Sequence, residues 1–392
     1  MMKKISNMVV ASLMIAATGC AGGSQQSTVG KITEPVSAVT NFRNCEYPKI
    51  TPDLSVTFRN SAPEAETMGI VIREKMYEMV PVGNGEWEVT TDPLVPGLHL
   101  YNLVVDGVSM LDPNSRTYRG SRSMLSGIDI PEEGVDFYLP KDVPHGETRI
   151  ERYWSEFEQA WRMCCVYTPA EYEQNPDKHY PVVYIQHGGG EDHMGWPEMG
   201  LMDNILDNLI AEGKAVPMIV VSPNSNLVTN GRMGPGGYNM EGMKPYMEEL
   251  FNNIMPHIKA TYRILEGPEN TAMCGLSMGG GQTFYIGLNH PEKFANIGVF
   301  STGLFGGINE AQDLDLENEV PGMFSNSKQF NKDHKVFFMT CGQQDPRIIP
   351  TQKAVQTMRD NGVKVEFKSY PGAHEWQVWR YSLYEFAQKI FK

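Results

Sequence analysis

Cysteine is scarce in this chain, six among 392 residues. Apart from Cys20 near the N-terminus there are Cys45, Cys164, Cys165, Cys274 and Cys341, an odd set that cannot all pair internally. No C-x-x-C spacing occurs, so the common zinc and dithiol frameworks are excluded. Cys164, Cys165, Cys274 and Cys341 fall in apolar strand-like runs and read as buried thiols. Positive charge is also in deficit, with 33 Lys and Arg against 47 Asp and Glu, a net −14. That balance disfavours nucleic acid or an anionic membrane surface as the main partner. Beyond the first twenty residues no apolar run approaches the roughly 20 needed to cross a bilayer. No internal repeat is present.

The N-terminus does carry a signal. "MMKK" is a basic n-region, and "VVASLMIAAT" is an apolar core too short to span. The following "ATGC" resembles a bacterial lipobox, with Ala17 where leucine is usual; the resemblance implies lipid on Cys20. Residues 1–19 are then a lipoprotein signal peptide, and the mature protein an exported lipoprotein of the cell envelope that meets the membrane only through its lipid. Ordinary secretion with nearby cleavage is the alternative. "AGGSQQSTVG" opens a flexible tether over residues 20–44.

From 45 to 140 the texture is β. "LSVTFRN", "MGIVIR", "EWEVTT", "LHLYNLVVDG" and "VDFYLP" are short runs separated by Pro, Gly, Asn and Asp, the signature of an immunoglobulin-like sandwich. "GEWEVTTDPLVPGLHLYNLVVDG" followed by "DPNS" resembles an early-set, family 48 carbohydrate-binding module. The starch-binding members present tryptophans and a lysine; here Ser109 and Asn102 stand at those places, and Trp87 reads as a core residue. Binding of another glycan and a structural role both remain open.

Residues 141–152 form a linker, and 153–392 change to alternating strands and helices. Runs such as "YPVVYIQH", "PMIVVSP", "TAMCGLS", "NIGVFST" and "KVFFMTC" alternate with helical patterns such as "LMDNILDNLIAEG" and "TQKAVQTMRDNG". This predicts an α/β domain, a mostly parallel sheet covered on both faces, with its ligand beyond the strands' carboxyl ends.

At one such end lies Gly275-Leu276-Ser277-Met278-Gly279, a G-x-S-x-G between a strand and a helix, the setting of a nucleophile elbow. A serine hydroxyl needs a base to take its proton and an acid to orient that base. Of the histidines after Ser277, His290 ends a helix and His334 sits in charged "NKDHK", whereas His374 follows the last strand at the same edge. Asp345 follows the strand "KVFFMTC"; Asp313, Asp315 and Glu317 are the alternatives, in an acidic segment that reads as solvated surface. His187-Gly188-Gly189-Gly190 follows another strand, and the N–H groups of Gly189 and Met278 would form an oxyanion hole.

With "YPVVYIQHGGGEDHMGW", "LDNLIAEGKAVPMIVVSPN", "GLSMGGGQT" and "PGAHEWQVWRYSLYEFA", residues 150–392 resemble the esterase D-like α/β-hydrolases of carbohydrate esterase family 1, which include feruloyl and acetyl xylan esterases. The resemblance implies Ser277 as nucleophile, His374 as base and Asp345 as its partner, with Met278 and Gly189 at the hole. It also implies that Trp196 and the loop "PNSNLVTNGRMGPGGYN" shape the acyl or sugar site, that no metal or organic cofactor is needed, and that the substrate is an acylated plant polysaccharide such as feruloylated arabinoxylan. Acetyl xylan is the alternative substrate. Siderophore esterases of the enterochelin type share the sandwich-plus-esterase layout, and mycolyl-type acyltransferases share the nucleophile region. A glycan-binding lipoprotein with a silent hydrolase domain is the reading from a different class.

Overall fold

The structure, a computed structural model, describes residues 29–392 except 43, 121, 230, 231, 234–238 and 308–313. The signal segment and Cys20 lie outside the described residues.

Two sheets face one another in the N-terminal domain. One runs Val36–Ser37, Lys49–Ile50, Val56–Ser61, Glu86–Thr90, Val80–Gly83; the other runs Thr117–Gly120, Ser123–Ile130, Gly97–Val105, Met68–Ile72, Lys75–Glu78. Alternation decides which side chains face inward. Along Val56–Ser61 the buried positions are Val56, Phe58 and Asn60, and Phe58 packs edge-on against Tyr101 of the facing sheet at 4.9 Å. Trp87 sits half-buried against this core, its indole N–H donating to the Ala62 carbonyl at 3.0 Å.

Three boundary expectations need correction. Part of the expected tether is structured: Val36 and Ser37 pair with Ile50 and Lys49. The second half of the expected linker is strand, because Glu147–Ser155 pairs with Ala160–Thr168 inside the hydrolase sheet. "VDFYLP" is no strand. Its carbonyls are satisfied by side chains: Asn208 donates to Phe137 and Leu139 at 2.9 Å, and Asn204 to Tyr138 at 3.2 Å. It forms a strap across the second domain.

That domain is an eight-stranded sheet. Its strands are β1 Glu147–Ser155, β2 Ala160–Thr168, β3 Val182–Gln186, β4 Ile219–Pro223, β5 Thr271–Leu276, β6 Asn296–Phe300, β7 Val336–Gly342 and β8 Glu366–Tyr370. They lie in the order β1-β2-β4-β3-β5-β6-β7-β8, with β1 and β2 antiparallel and the rest parallel. Helices α1 (Met202–Ala211) and α5 (Trp376–Ala387) cover one face; α2 (Met240–Glu249), the helical run that starts as α3 (Met278–Gln282), and α4 (Ile348–Asp360) cover the other. Every residue of β3, β5 and β6 is therefore buried, which explains why these strands read as unbroken apolar runs. Cys164, Cys165, Cys274 and Cys341 are buried free thiols in this core.

The sandwich is seated on α5. Arg380, only 1% exposed, is held by both carboxylate oxygens of Asp129 at 2.8 and 3.1 Å and donates to the Met199 carbonyl at 2.9 Å. Gly97 lies so close to the same helix that a Cβ there would stand 2.6 Å from Gln377.

Candidate active site

Four loops at the carboxyl ends of β3, β5, β7 and β8 converge. The turn after β5 is strained at its centre: Ser277 has φ 52° and ψ −112°, a region that non-glycine residues avoid. Its neighbours fix the conformation. Ser277 N–H donates to the Phe300 carbonyl at 2.8 Å, tying the turn to β6. A Cβ on Gly275 would stand 2.6 Å from the Gly279 carbonyl, and one on Gly279 would stand 2.6 Å from the carbonyls of Gln186 and His187. Both glycines of the motif are thus required by close backbone approach, and the second presses the start of α3 against the loop after β3.

The elbow lifts Ser277 Oγ to 2.9 Å from His374 Nε2, and His374 Nδ1 lies 2.7 Å from Asp345 Oδ2. Only one proton arrangement serves neutral imidazole here: Nδ1–H donates to Asp345, and Nε2 accepts from the serine hydroxyl. Asp345 is buried, and its other oxygen accepts from the backbone N–H of Arg347 at 3.0 Å and its guanidinium at 2.9 Å. Burial alone would push the Asp345 carboxyl up; the bonds from His374 and Arg347 outweigh it and hold the group below its usual range. His374 is shifted down, first by burial, against the pull of Asp345 and with help from the Arg347 charge. The ring is steadied edge-on by Trp379 at 5.0 Å.

The glycine turn after β3 is braced from beneath. His187 is fully buried and its Nε2 accepts from Ser225 N–H at 3.0 Å, so its Nδ1–H donates to the Gly188 carbonyl at 2.7 Å. Burial pushes its pKa down to about 4 and keeps it neutral. Glu191 accepts the Gly188 N–H at 2.9 Å, and burial pushes its carboxyl up to about 8. With Gly188 N–H engaged, Gly189 is the exposed member of the turn and lines the cavity. Met278 is the first residue of α3, where a helix leaves its N–H groups without intrahelical partners.

The remaining candidates go elsewhere. His290 faces Glu292 at 3.0 Å, and His334 is buried with Nδ1 donating to the Phe330 carbonyl at 3.1 Å. Asp315 caps a short helix by accepting from Asn318 N–H, and Glu317 gathers the N–H groups of Gly322 and Phe324; Asp313 lies outside the described residues. Trp196, expected to shape the acyl or sugar site, has 0% exposure and does not line the cavity. Its indole N–H donates to the Gln186 carbonyl at 2.9 Å and its ring packs edge-on against Trp376 at 5.3 Å, because the loop after the glycine turn folds inward as the helix Gly195–Glu198. Trp376 and Trp379 line the cavity instead. They lie at i and i+3 on α5, a spacing visible in "HEWQVW" but not recognised as a wall. Of the loop 223–239, residues 230, 231 and 234–238 lie outside the described residues.

Ser277 and His374 open into a cavity of about 510 Å³. Half its wall comes from the sandwich, including Arg73, His99, Asn102 and Ser123. Asn102, at the place of the starch binders' lysine, thus lines the same cavity as the serine, whereas Ser109 is exposed on the short strand Val108–Met110. Sequence reasoning missed this wall, as it missed Arg347 and Glu191.

Three comparisons bear on identity. The chain is 33% identical over 365 residues to an endo-1,4-β-xylanase/feruloyl esterase of Xylanibacter ruminicola, an alignment that takes in 88% of this chain and 46% of that protein, so this chain spans about half of that relative's length. Among solved structures it is similar to the family 1 ferulic acid esterase of Anaeromyces mucronatus, with 27% identity, TM-score 0.56, and 66% of this chain and 96% of that one covered. The enterobactin esterase of Shigella flexneri shares the fold across both domains, with TM-score 0.62 over 85% of this chain and 92% of that one, at 15% identity. The model of the esterase family, described as "Putative esterase", matches residues 159–390, more than half of the 392, and that span holds Ser277, Asp345, His374 and the glycine turn: the chain belongs to this esterase family.

Proposed function

We propose that the protein is a feruloyl esterase that removes ferulate from plant cell-wall polysaccharide such as arabinoxylan. The observation that carries the reading is the hydrogen-bonded series Asp345–His374–Ser277 opening directly into a roomy cavity lined in part by large apolar side chains. Leu98, Leu100, Leu125, Leu276, Trp376 and Trp379 line it, a surface suited to an aromatic acid, and its size falls within the ~300–1,000 Å³ of small-ligand sites. The similarity to the xylanase/feruloyl esterase, which extends over the sandwich as well as the hydrolase domain, supports the same choice.

The chemistry is acyl transfer in two steps. His374 Nε2 takes the Ser277 proton as Oγ attacks the ester carbonyl; the carbonyl oxygen, now negative, is received by the N–H groups of Gly189 and Met278. Collapse breaks the bond to the sugar oxygen, which leaves with the proton from His374. Water, deprotonated by His374, then attacks the acyl-serine, and ferulate departs as Ser277 regains its proton. Asp345 keeps the imidazole in the required tautomer throughout. We also propose that the protein is exported and carries its lipid on Cys20, a reading supported by the basic, apolar and small-residue order of residues 1–20.

The test is product release from wheat-bran arabinoxylan fragments, with Ser277→Ala as the blank. Ferulate released only by intact Ser277 is the expected result, with at least a thousandfold loss in the variant. Acetate without ferulate would overturn the acyl assignment and leave the mechanism.

A further inference from the structure

The sandwich is joined to the hydrolase domain by its buried Asp129–Arg380 pair, and it also touches two loops of the ester site. Arg122 N–H donates to the Gly190 carbonyl at 3.0 Å, bracing the glycine turn. Arg73 forms an ion pair with Glu375, the residue directly after His374. The second contact reaches further into the chemistry.

Arg73 sits in the tight connection between Met68–Ile72 and Lys75–Glu78, with φ 57°. A left-handed backbone at a non-glycine residue persists where the surroundings demand it, and here it sends the guanidinium out of the sandwich into the cavity wall. Glu375 is the residue before α5 and so stands where a side chain caps a helix, yet it makes no cap bond. Its carboxylate folds back instead: Oε1 accepts the Ala373 N–H at 2.7 Å. Gly372, at φ 113°, wraps the same carboxylate so closely that a Cβ would lie 3.1 Å from Oε1. The loop bearing His374 is therefore wound around the Glu375 carboxylate, whose side chain is only 10% exposed. A carboxylate so enclosed is costly without a cation. Of the cations closest in sequence or on the adjoining loops, Arg347 pairs with Asp345 and Lys75 with Asp92. His99, beside Arg73, is buried, shifted down by that burial and bonded to the Val95 carbonyl. Among the described residues, Arg73 is the cation paired with Glu375.

We propose that the sandwich is a positioning element of the ester site: Arg73, through Glu375, holds the loop that presents His374 to Ser277. The inference rests on the serine-esterase reading but not on the choice of acyl group. It makes the N-terminal domain part of the catalytic apparatus for every ester, including one too small to touch the sandwich.

The experiment compares full-length protein with Arg73→Ala, Arg73→Lys, Glu375→Gln and the Arg73→Ala/Glu375→Gln double variant. Substrates are 4-nitrophenyl acetate and methyl ferulate, and the rate of inactivation by a serine-directed fluorophosphonate reports Ser277 activation without turnover. Positioning predicts that Arg73→Ala lowers kcat about tenfold on both esters, slows phosphonate labelling equally, and leaves KM within twofold. Arg73→Lys recovers part of the loss, and the double variant is no slower than either single one, because both cut the same connection. A rise in KM for methyl ferulate alone, with acetate turnover intact, would mean that Arg73 touches substrate and would overturn the proposal. Unchanged kcat with a lowered melting temperature would overturn it too, leaving only a docking contact. Should Arg73→Ala fail to fold, Arg73→Lys and Glu375→Gln carry the same comparison. Wild-type protein that resists the phosphonate would sink the serine-esterase reading and the proposal with it; wild-type protein that cleaves acetate but not ferulate would sink only the acyl assignment.

Discussion

In the proposed mechanism Ser277 draws its reactivity from two side chains, His374 and Asp345, and the cation bonded to that pair is Arg347. Its guanidinium bonds Asp345 at 2.9 Å and repels a proton on His374. His374 acts as a base only when neutral, so activity is present above its pKa and falls as pH drops through it. Burial and Arg347 both lower that pKa, against Asp345. The acidic limb of kcat/KM is therefore expected below the roughly 6.5 of free imidazole. Arg347→Gln removes one lowering influence, so its limb should shift to higher pH, measured as a pH profile on 4-nitrophenyl acetate. An unmoved limb would mean that burial and Asp345 set the value without Arg347. The same geometry makes Asp345→Asn severe, since an amide facing Nδ1 favours the wrong tautomer.

At the scale of elements, the site depends on how closely loops approach strand ends. Gly342 ends β7 where the His374 loop crosses it: a Cβ there would lie 2.2 Å from the Ala373 carbonyl and 2.5 Å from that of Gly372. Both contacts are backbone, so Gly342→Ala must push the histidine loop away. We expect a cost of about 1–3 kcal/mol in denaturant unfolding and a fall in kcat of tenfold or more. Gly189→Ala is the stability control, because nothing lies within 4 Å of its added Cβ; unfolding should move by less than about 0.5 kcal/mol. These approaches explain what could be read from the sequence. G-x-S-x-G, the glycine turn and the buried strands were legible because glycine and unbroken apolar runs record local geometry. Trp196 was misread because residue type does not say which way a loop folds; the inward helix Gly195–Glu198 decides that. "VDFYLP" has a strand's composition, yet Asn204 and Asn208 of α1 take the carbonyls that a strand partner would have bound. The sandwich wall was illegible for a different reason. Contacts such as Asp129–Arg380 join residues 251 positions apart, and no local pattern encodes them.

That pair governs the molecule as a whole. The cavity exists because two domains meet over Ser277, so whatever docks the sandwich also shapes the ester pocket. Arg380 is 1% exposed; Asp129 supplies its counter-charge, and Tyr138 lies 4.7 Å beneath the guanidinium. Removing one partner of such a pair strands a buried charge, at a cost of about 3–5 kcal/mol, whereas replacing both by apolar groups of similar volume is often neutral. Asp129→Ala should therefore uncouple the domains, seen by calorimetry as two transitions where the wild type shows one or as a large fall in the first. Asp129→Leu/Arg380→Met should restore most of the loss. Activity then separates docking from folding. The Asp129→Ala protein loses both the sandwich wall beside Asn102 and Ser123 and the Arg73–Glu375 pair, so at temperatures where the hydrolase domain is still folded KM for methyl ferulate should rise several-fold and kcat should fall, and the double variant should bring both back. If Asp129→Ala unfolds in a single transition with wild-type KM, the pair is dispensable for docking, and the seat of Gly97 against Gln377 becomes what holds the wall in place.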